Sequence, residues 1–247
     1  MAEYLEKMTK LDQVLDDPKV HQQVSEVQQI VQNVADKELL EIAPGKLGFL
    51  PDEFEELVDK LGQDKKQELY VMNQLLNSVR QYLSLRFGIW SVPNLKLAKT
   101  IKEELQVQKA LEVMAGNGYW SLALKKAGLD VRATDSLEWA KTSKTGQDAF
   151  FKVENFTAVE AVEKFNDVDL IICSWAPNFT QSDLELVKAW KDYNPKSKLI
   201  FIGEYEGVTN SPDFWEQMKF VENNSTKRIN QQFSSFDFIE EKVYLVK

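Results

Sequence analysis

Apolar residues in the N-terminal part of the chain recur at spacings of three and four, which is the period of an amphipathic helix. The clearest stripe is made of valines that follow Pro18, at Val20, Val24, Val27, Val31 and Val34. Asp16 or Asp17 can cap this helix, because an aspartate side chain accepts hydrogen bonds from the amides of a first helical turn. The stripe covers about two heptads, which is short for an independent coiled coil. We therefore expect it to pack against neighbouring helices, with dimerisation as the less favoured alternative.

More helices are predicted downstream of this one, over 51–61 and between Asp64 and Gly88. The apolar positions of the longer helix are Leu69, Met72, Leu76, Val79 and Leu83. A further helix over 94–105 leads into the second part of the chain. The pattern therefore predicts an α-helical N-terminal region over residues 1–92.

From residue 93 onward, short apolar runs alternate with helical stretches. The runs that are typical of strands cover 110–114, 130–134, 150–153, 168–173, 198–202 and 242–246. The helices predicted between them cover 119–127, 159–165 and 182–191. Strands that alternate with helices at this spacing imply right-handed crossovers and a doubly wound, mostly parallel α/β sheet over residues 93–247. The partner of the last strand stays open between the segments at Phe220 and Ile239.

The first of these strands contains an acid, Glu112, and leads into the turn Gly116-Asn117-Gly118. Glycine lets the backbone approach a ligand where a Cβ would block it, and the helix after the turn directs its N-terminal N–H groups into the same space. The second strand delivers Asp135, where a carboxylate can bind both hydroxyls of a ribose. This unit predicts a site for an adenosine-containing cofactor.

Two cofactor classes fit this outline, the dinucleotides and S-adenosylmethionine. A dinucleotide brings a pyrophosphate that Glu112 would repel, and Ser121 replaces the third glycine of the dinucleotide fingerprint. S-adenosylmethionine has no phosphate, and the same carboxylate would attract its ammonium and sulfonium groups. The residues therefore favour S-adenosylmethionine over NAD. A structural role for Glu112, as a cap of the turn, is the alternative.

The run Glu112-Val113-Met114-Ala115-Gly116-Asn117-Gly118 resembles the first motif of the class I S-adenosylmethionine-dependent methyltransferases, an acid in the strand followed by a glycine-rich turn. Met114 stands where that family usually has its first glycine. The resemblance covers about residues 95–247 and implies the family's Rossmann-like fold, with an antiparallel strand closing the sheet. It also implies that Glu112 and the turn hold the methionine part of the cofactor and that Asp135 holds the ribose.

Polar residues that follow the other strands complete the predicted site. The residues expected at the cofactor are Glu112, Ala115, Gly116, Asn117, Gly118, Asp135, Ser136, Asn155 and Ser174. By resemblance, Asn155 would contact the adenine amino group, and the loop 174–178 would face the substrate. The residues expected at the methyl acceptor are Trp90, Tyr119, Trp175, Pro177 and Tyr205. The rings of Trp120, Trp139, Trp175 and Tyr205 would suit an aromatic pocket for the sulfonium or a planar substrate, because ring faces attract cations. Core packing is the favoured alternative for any one of them. Glu204 is the candidate base for a proton of the acceptor.

Charge and the rare residue types narrow the function further. The net charge of −9 argues against a sequence-independent grip on nucleic-acid phosphates, which needs a basic surface. Cys173 is the single cysteine and His21 the single histidine, which excludes an intrachain disulfide, a zinc framework and a histidine-dependent hydrolase. No metal site is expected. The N-terminus has no apolar segment of signal-peptide or membrane-span length, so we expect a cytoplasmic protein that binds no membrane.

The hypothesis from the sequence is an S-adenosylmethionine-dependent methyltransferase that acts on a small-molecule acceptor, as a monomer or a homodimer. The N-terminal helices would cover the cofactor and touch the pocket through the segment 86–93, for which a plain connection is the alternative. Two other functions stay open, a non-catalytic S-adenosylmethionine-binding protein with a partner-binding helical region and an NAD-dependent oxidoreductase. The acceptor itself does not follow from these residues, because one fold hosts many chemistries.

Overall fold

The computed structural model describes residues 2–247. The N-terminal helices are α1 (Ala2–Leu15), α2 (Pro18–Ala35), α3 (Pro51–Leu61), α4 (Lys66–Asn77), α5 (Val79–Phe87) and α6 (Leu95–Leu105). The strands are β1 (Lys109–Glu112), β2 (Asp130–Asp135), β3 (Val153–Asn155), β4 (Leu170–Ser174), β5 (Lys198–Glu204) and β6 (Glu241–Leu245). The helices among and after them are α7 (Tyr119–Lys126), α8 (Ala158–Lys164), α9 (Ser182–Tyr193), α10 (Pro212–Gln217) and α11 (Asn224–Gln231). Across residues 2–247, no helix combines the length and the apolar character needed to cross a lipid bilayer.

The strands form one sheet in the order β3-β2-β1-β4-β5-β6. All neighbours are parallel except β5 and β6, which run antiparallel with Ile202 opposite Val243. This is a doubly wound, mostly parallel α/β sheet with an antiparallel edge, and the fold class predicted from the sequence is confirmed. The two partners considered for the last strand were wrong, because β6 pairs with β5 and Phe220 makes only an isolated bridge to Val246.

The valine stripe of α2 is buried, as its spacing predicts. Asp17, rather than Asp16, caps this helix and accepts the amides of Lys19 and Val20. The single helix expected between Asp64 and Gly88 is in fact two helices, α4 and α5, which meet at Ser78. The Ser78 hydroxyl donates to the Leu75 carbonyl oxygen at 2.9 Å. A serine side chain that binds the main chain in this way competes with the regular helical pattern.

The third strand lies further along the chain than the predicted 150–153. The amides of Phe150 and Phe151 donate to the Asn117 carbonyl oxygen at 2.9 and 3.4 Å, so this segment is held by the glycine turn instead of by β2. Pairing with β2 begins at Val153. Residues 150–151 are therefore apolar because they pack on the turn. The predicted start of the strand was wrong because hydropathy alone does not distinguish a strand from such a segment.

Both faces of the sheet are covered by helices, which explains why its strands are apolar throughout. On one face, Ile172 and Ile202 pack in a cluster that also contains residues of α6, α7 and α11. On the other face, Ile171 and Phe201 pack with residues of α8, α9 and α10. A third cluster unites the helices α1–α5 and includes Tyr119 of α7, so these helices rest against the sheet region. The proposed boundary between residues 92 and 93 stays a prediction.

One buried cation joins the helices to the end of the sheet. The Arg80 guanidinium on α5 makes two hydrogen bonds to the Asp237 carboxylate, at 2.6 and 2.8 Å, and lies 2.8 Å from Glu241 on β6. Its planar face lies 4.9 Å from the ring centroid of Trp175 in the loop after β4. The Trp175 indole N–H donates to Glu241 at 2.7 Å, and its ring stacks on that of Trp90 with 5.4 Å between centroids.

We predict that Arg80→Met lowers the free energy of unfolding by about 3–5 kcal/mol, because it leaves two buried carboxylates without their cation. Urea unfolding monitored by circular dichroism measures this change. Arg228→Met is the matched control, since it removes a surface pair with Glu104 and should cost much less than Arg80→Met. Equal losses in the two variants would contradict a special role for Arg80.

Candidate active site

A cleft of about 890 Å³ opens at the carboxyl ends of the parallel strands. Its walls include Met114 and Gly116 after β1, Asp135 at the end of β2, and Trp175 after β4. A smaller cavity of about 110 Å³ adjoins it and shares Gly88, Trp90, Met114, Gly116 and Trp175 with the larger cleft. We call this smaller cavity the polar end. Ligands of open α/β sheets bind at this edge, where the strand order reverses beside β1.

Three positions of the turn after β1 have left-handed backbone conformations, with φ of 53° at Met114, 53° at Gly116 and 73° at Gly118. Glycine adopts such angles without steric cost, whereas a residue with a Cβ does so at some strain. A Cβ at Gly118 would also lie 2.9 Å from the Cβ of Phe151. The position where the sequence departs from the family motif, Met114, therefore keeps a backbone angle that suits glycine, and its side chain lines the cleft.

The turn is tied to the end of β2 by Asp135. One carboxylate oxygen accepts the Gly116 amide at 2.9 Å, and the other accepts the Leu137 amide at 2.7 Å. Each oxygen can accept a second hydrogen bond. Asp135 is buried but lines the cleft, so its remaining acceptor capacity is available to a ligand there.

Glu112 lies below the turn and is only 2% exposed. Its Oε2 atom accepts the Ser121 amide at 2.7 Å and the Ser121 hydroxyl at 2.5 Å. Burial raises the pKa of Glu112 to about 8. The nearby charge of Asp135 also raises this pKa, whereas the two hydrogen bonds from Ser121 lower it. The serine that replaces the third glycine of the dinucleotide fingerprint is thus the hydrogen-bonding partner of this acid.

Buried polar atoms without a protein partner collect at the polar end. Among residues 2–247, they are the Oδ1 atom of Asn117, the Nε1 atom of Trp120 and the Oγ atoms of Ser91 and Ser174, all on residues that line this cavity together with Glu112. Buried polar groups are nearly always hydrogen-bonded, so an unpaired set in one cavity is typical of a binding site. The set contains an acceptor (the amide oxygen), a donor (the indole N–H) and hydroxyls that can do both, which suits a ligand that both donates and accepts hydrogen bonds, such as an amino acid with its ammonium and carboxylate groups.

The helical region reaches the turn through Gly88. The Asn117 side-chain amide donates to the carbonyl oxygen of Phe87, the last residue of α5, at 2.7 Å. Gly88 has a φ of 69°, and a Cβ there would lie 2.6 Å from Asn117 Nδ2. The segment 86–93 is therefore in contact with the turn, and Trp90 extends along the wall of the cleft.

Most of the residues expected at the site line the cleft or its polar end. These are Glu112, Ala115, Gly116, Asn117, Asp135, Ser136, Ser174, Trp90, Tyr119, Trp175 and Pro177. Gly118 supports the turn through its backbone angle. Asn155 lies at the end of β3 with an exposed side chain and does not line either cavity. Trp120 lines the polar end and also belongs to the core, since its ring packs edge-on against Phe233.

Glu204 and Tyr205 do not line the cleft. The Glu204 carboxylate accepts the amide of Val208 at 3.1 Å and that of Glu240 at 3.2 Å, so it joins two loops. The Tyr205 ring is about half exposed and packs edge-on against Trp215. These contacts arise because β5 extends to Glu204, two residues beyond the predicted end of the strand, and the chain turns away after it.

Several residues of the cleft were not selected as site residues from the sequence. They include Ser84, Glu138, Thr145, Thr157, Val159, Phe179, Thr180 and Glu185. Phe179 follows Pro177 with 86% of its surface exposed. An aromatic residue in a loop just after a parallel strand is the signal that could have identified Phe179. Trp139, which the sequence offers for an aromatic pocket, also lines the cleft. Within residues 2–247, no group of three or more His, Cys, Asp and Glu side chains is arranged to hold a metal ion.

No protein-family model matches the chain, and no curated protein sequence is similar to it. Among solved structures, the chain is similar to a protein from Anaeromyxobacter dehalogenans described as a type II methyltransferase, with 18% identity, 42% of this chain and 46% of that one covered, and a TM-score of 0.34. It is also similar to TehB from Haemophilus influenzae, with 13% identity, coverage of 68% and 66%, and a TM-score of 0.40.

A third similar structure is an S-adenosylmethionine-dependent methyltransferase from Clostridium acetobutylicum, with 14% identity, coverage of 68% and 96%, and a TM-score of 0.42. The chain thus spans less than two thirds of the length of the first two proteins. No residue's role follows from similarity at this level.

We predict that Glu112→Gln removes a pH dependence from the stability of the fold. A carboxyl whose pKa rises from 4.5 to about 8 on folding stabilises the native state fully below pH 4.5, and this contribution is lost as the pH rises to about 8. Between pH 5 and pH 8 the loss is about 3 kcal/mol. Urea unfolding at both pH values should show this decline in the wild type and a smaller one in Glu112→Gln. Parallel declines in the two proteins would contradict the raised pKa.

Proposed function

We propose that the protein is an S-adenosylmethionine-dependent methyltransferase that acts on a small-molecule acceptor. The observation that carries the proposal is the polar end, where Glu112 lies with the unpartnered oxygens of Asn117 and Ser174 beneath a left-handed glycine turn. The Asn117 oxygen and the Glu112 carboxyl can accept from the ammonium group of the cofactor's methionine part, and the Trp120 N–H and the serine hydroxyls can donate to its carboxylate. The residues present therefore fit S-adenosylmethionine.

The remaining residues of the cleft fit the rest of the same cofactor. Asp135 would bind the ribose hydroxyls with the acceptor capacity that Gly116 and Leu137 leave unused. Val159, at the start of α8, and Trp139 supply apolar walls for the adenine ring. The cleft volume of about 890 Å³ lies within the range of sites that hold ligands of this size, with room for an acceptor.

When bound, S-adenosylmethionine supplies a sulfonium methyl group that is already a good electrophile. The chain's residues would then have to orient an acceptor in line with that group and exclude water from it. Trp90 and Trp175 are placed to do so, because their stacked rings wall the cleft where it meets the polar end. A role for Glu204 in proton transfer gains no support from its contacts with backbone amides.

One observation favours a second candidate, a cofactor-binding protein without methyl transfer. Met114 keeps a side chain in the turn and in the cleft, where it reduces the space beside the cofactor site. Product formation from an acceptor would exclude this candidate. NAD is less compatible, since the residues that line the cleft and the polar end carry Glu112, Asp135, Glu138 and Glu185 but no Lys or Arg that could pair with a pyrophosphate.

We predict micromolar binding of both S-adenosylmethionine and S-adenosylhomocysteine, measured by titration calorimetry. Asp135→Ala should weaken both by at least about tenfold, because it removes the ribose acceptor and loosens the turn. Asp130→Ala is the matched control at the exposed opposite end of β2 and should bind like the wild type. Absence of binding of either compound to the folded wild type would overturn the proposal.

We also predict that binding of S-adenosylmethionine at pH 7 releases up to about one proton from Glu112. With a pKa of about 8 this acid is mostly protonated in the free protein, and a cation placed beside it favours the ionised form. Titrations in buffers of different ionisation enthalpy measure the number of protons released. Glu112→Gln should release fewer protons than the wild type, and an equal number would show that the cofactor's cation does not lie at Glu112.

A further inference from the structure

The part of the cleft that the proposed cofactor leaves free has a distinct surface. If the polar end takes the ammonium group and Asp135 takes the ribose, an acceptor must occupy the remaining wall. The residues that line the cleft and that the cofactor leaves unassigned include Trp90, Pro177, Phe179 and Glu185. We call these four residues the acceptor wall.

The acceptor wall offers flat apolar surface. Trp175 is already engaged, since its ring contacts Arg80 and Trp90 and its N–H binds Glu241. Trp90 and Phe179 are 52% and 86% exposed, so they retain ring surface for a ligand. Exposed aromatic rings that line a cleft are typical of binding surfaces, and planar ligands gain most from stacking on them.

The charges at this wall have one sign. Within the described chain, no Lys, Arg or His lines either the cleft or the polar end. Glu138 pairs with Lys141 at 2.6 Å, whereas Glu185, in the first turn of α9, has no ion-pair partner among residues 2–247. An anionic acceptor would meet only carboxylates, and like charges brought together select against a ligand.

We propose that the acceptor is a planar primary or secondary amine without negative charge, whose ring lies on Trp90 and Phe179 and whose nitrogen lies at Glu185. This inference rests on the proposed function. In the reaction, the Glu185 carboxylate first takes one proton from the ammonium form of the acceptor, which frees the nitrogen lone pair. The lone pair forms the new bond to the methyl carbon while the carbon–sulfur bond breaks and leaves its electron pair on sulfur. The positive charge passes to the nitrogen, the product leaves as the methylated ammonium, and Glu185 returns its proton to solvent.

Two probes with the same ring and opposite charge test the inference, 2-naphthylmethylammonium and 2-naphthoate. Each is titrated calorimetrically into the full-length protein, with and without saturating S-adenosylhomocysteine, whose own binding is measured first. We expect the ammonium probe to bind at least tenfold more tightly than the carboxylate probe. Phe179→Ala should weaken both probes by a similar factor, because it removes ring surface and no charge.

The Glu185→Gln variant tests the charge separately. It should reduce the preference for the ammonium probe at least threefold and leave the affinity for S-adenosylhomocysteine unchanged. Glu163→Gln is the matched control, because Glu163 is an exposed acid on α8 that does not line the cleft. An unchanged preference in Glu185→Gln would overturn the assignment of this residue.

The remaining outcomes separate the inference from the function on which it rests. Equal or tighter binding of 2-naphthoate, in a protein that binds S-adenosylhomocysteine, would overturn the acceptor class and leave the proposed function standing. No binding of S-adenosylhomocysteine, with the ammonium probe still preferred, would overturn the proposed function and support the ring-binding surface with its acidic group.

Discussion

The buried guanidinium of Arg80 is the interaction on which the rest of the structure depends. It lies between α5, the C-terminal segment at Asp237 and Glu241, and the loop after β4. Charges removed from water are stabilised only when all of their partners are in place. The helical region, the last strand and the wall of the cleft are therefore coupled. The same network holds Trp175 at a φ of 58°, a left-handed conformation that a bulky residue keeps only when its surroundings determine it.

The cleft has a polar end and an aromatic end, and the proposed function depends on this difference. Its polar end contains the buried Glu112, whose pKa is raised, together with polar atoms that have no partner among residues 2–247. Burial of such groups without partners costs free energy, and a bound cation would offset part of this cost. Its other end is aromatic and contains Glu185, a carboxylate without an ion-pair partner among residues 2–247. The proposed cofactor, with its cationic head, and the proposed acceptor, without negative charge, both match that distribution. The sheet alone would not provide either, because one fold hosts many functions.

Met114 illustrates how a departure from a motif can keep the geometry of the motif. Its backbone has the left-handed angle that glycine adopts easily, so the path of the turn is kept. The cost is the strain of that angle and a side chain in the cleft. Ser121, which stands at the third glycine position of the dinucleotide fingerprint, instead binds the buried acid, since its hydroxyl and amide both donate to Glu112.

The sequence by itself determined the features whose causes are local. Three such features are the valine stripe of α2, the unit formed by β1, the glycine turn and α7, and the position of Asp135. They follow from backbone geometry and from the burial of one face, and both of these causes act over a few residues. Tertiary structure alone decided the partner of β6 and the delayed start of β3. It also moved Glu204 away from the cleft and brought Arg80 to Asp237, 157 residues further along the chain. Such contacts depend on how separate elements meet, and no short stretch of sequence encodes that arrangement.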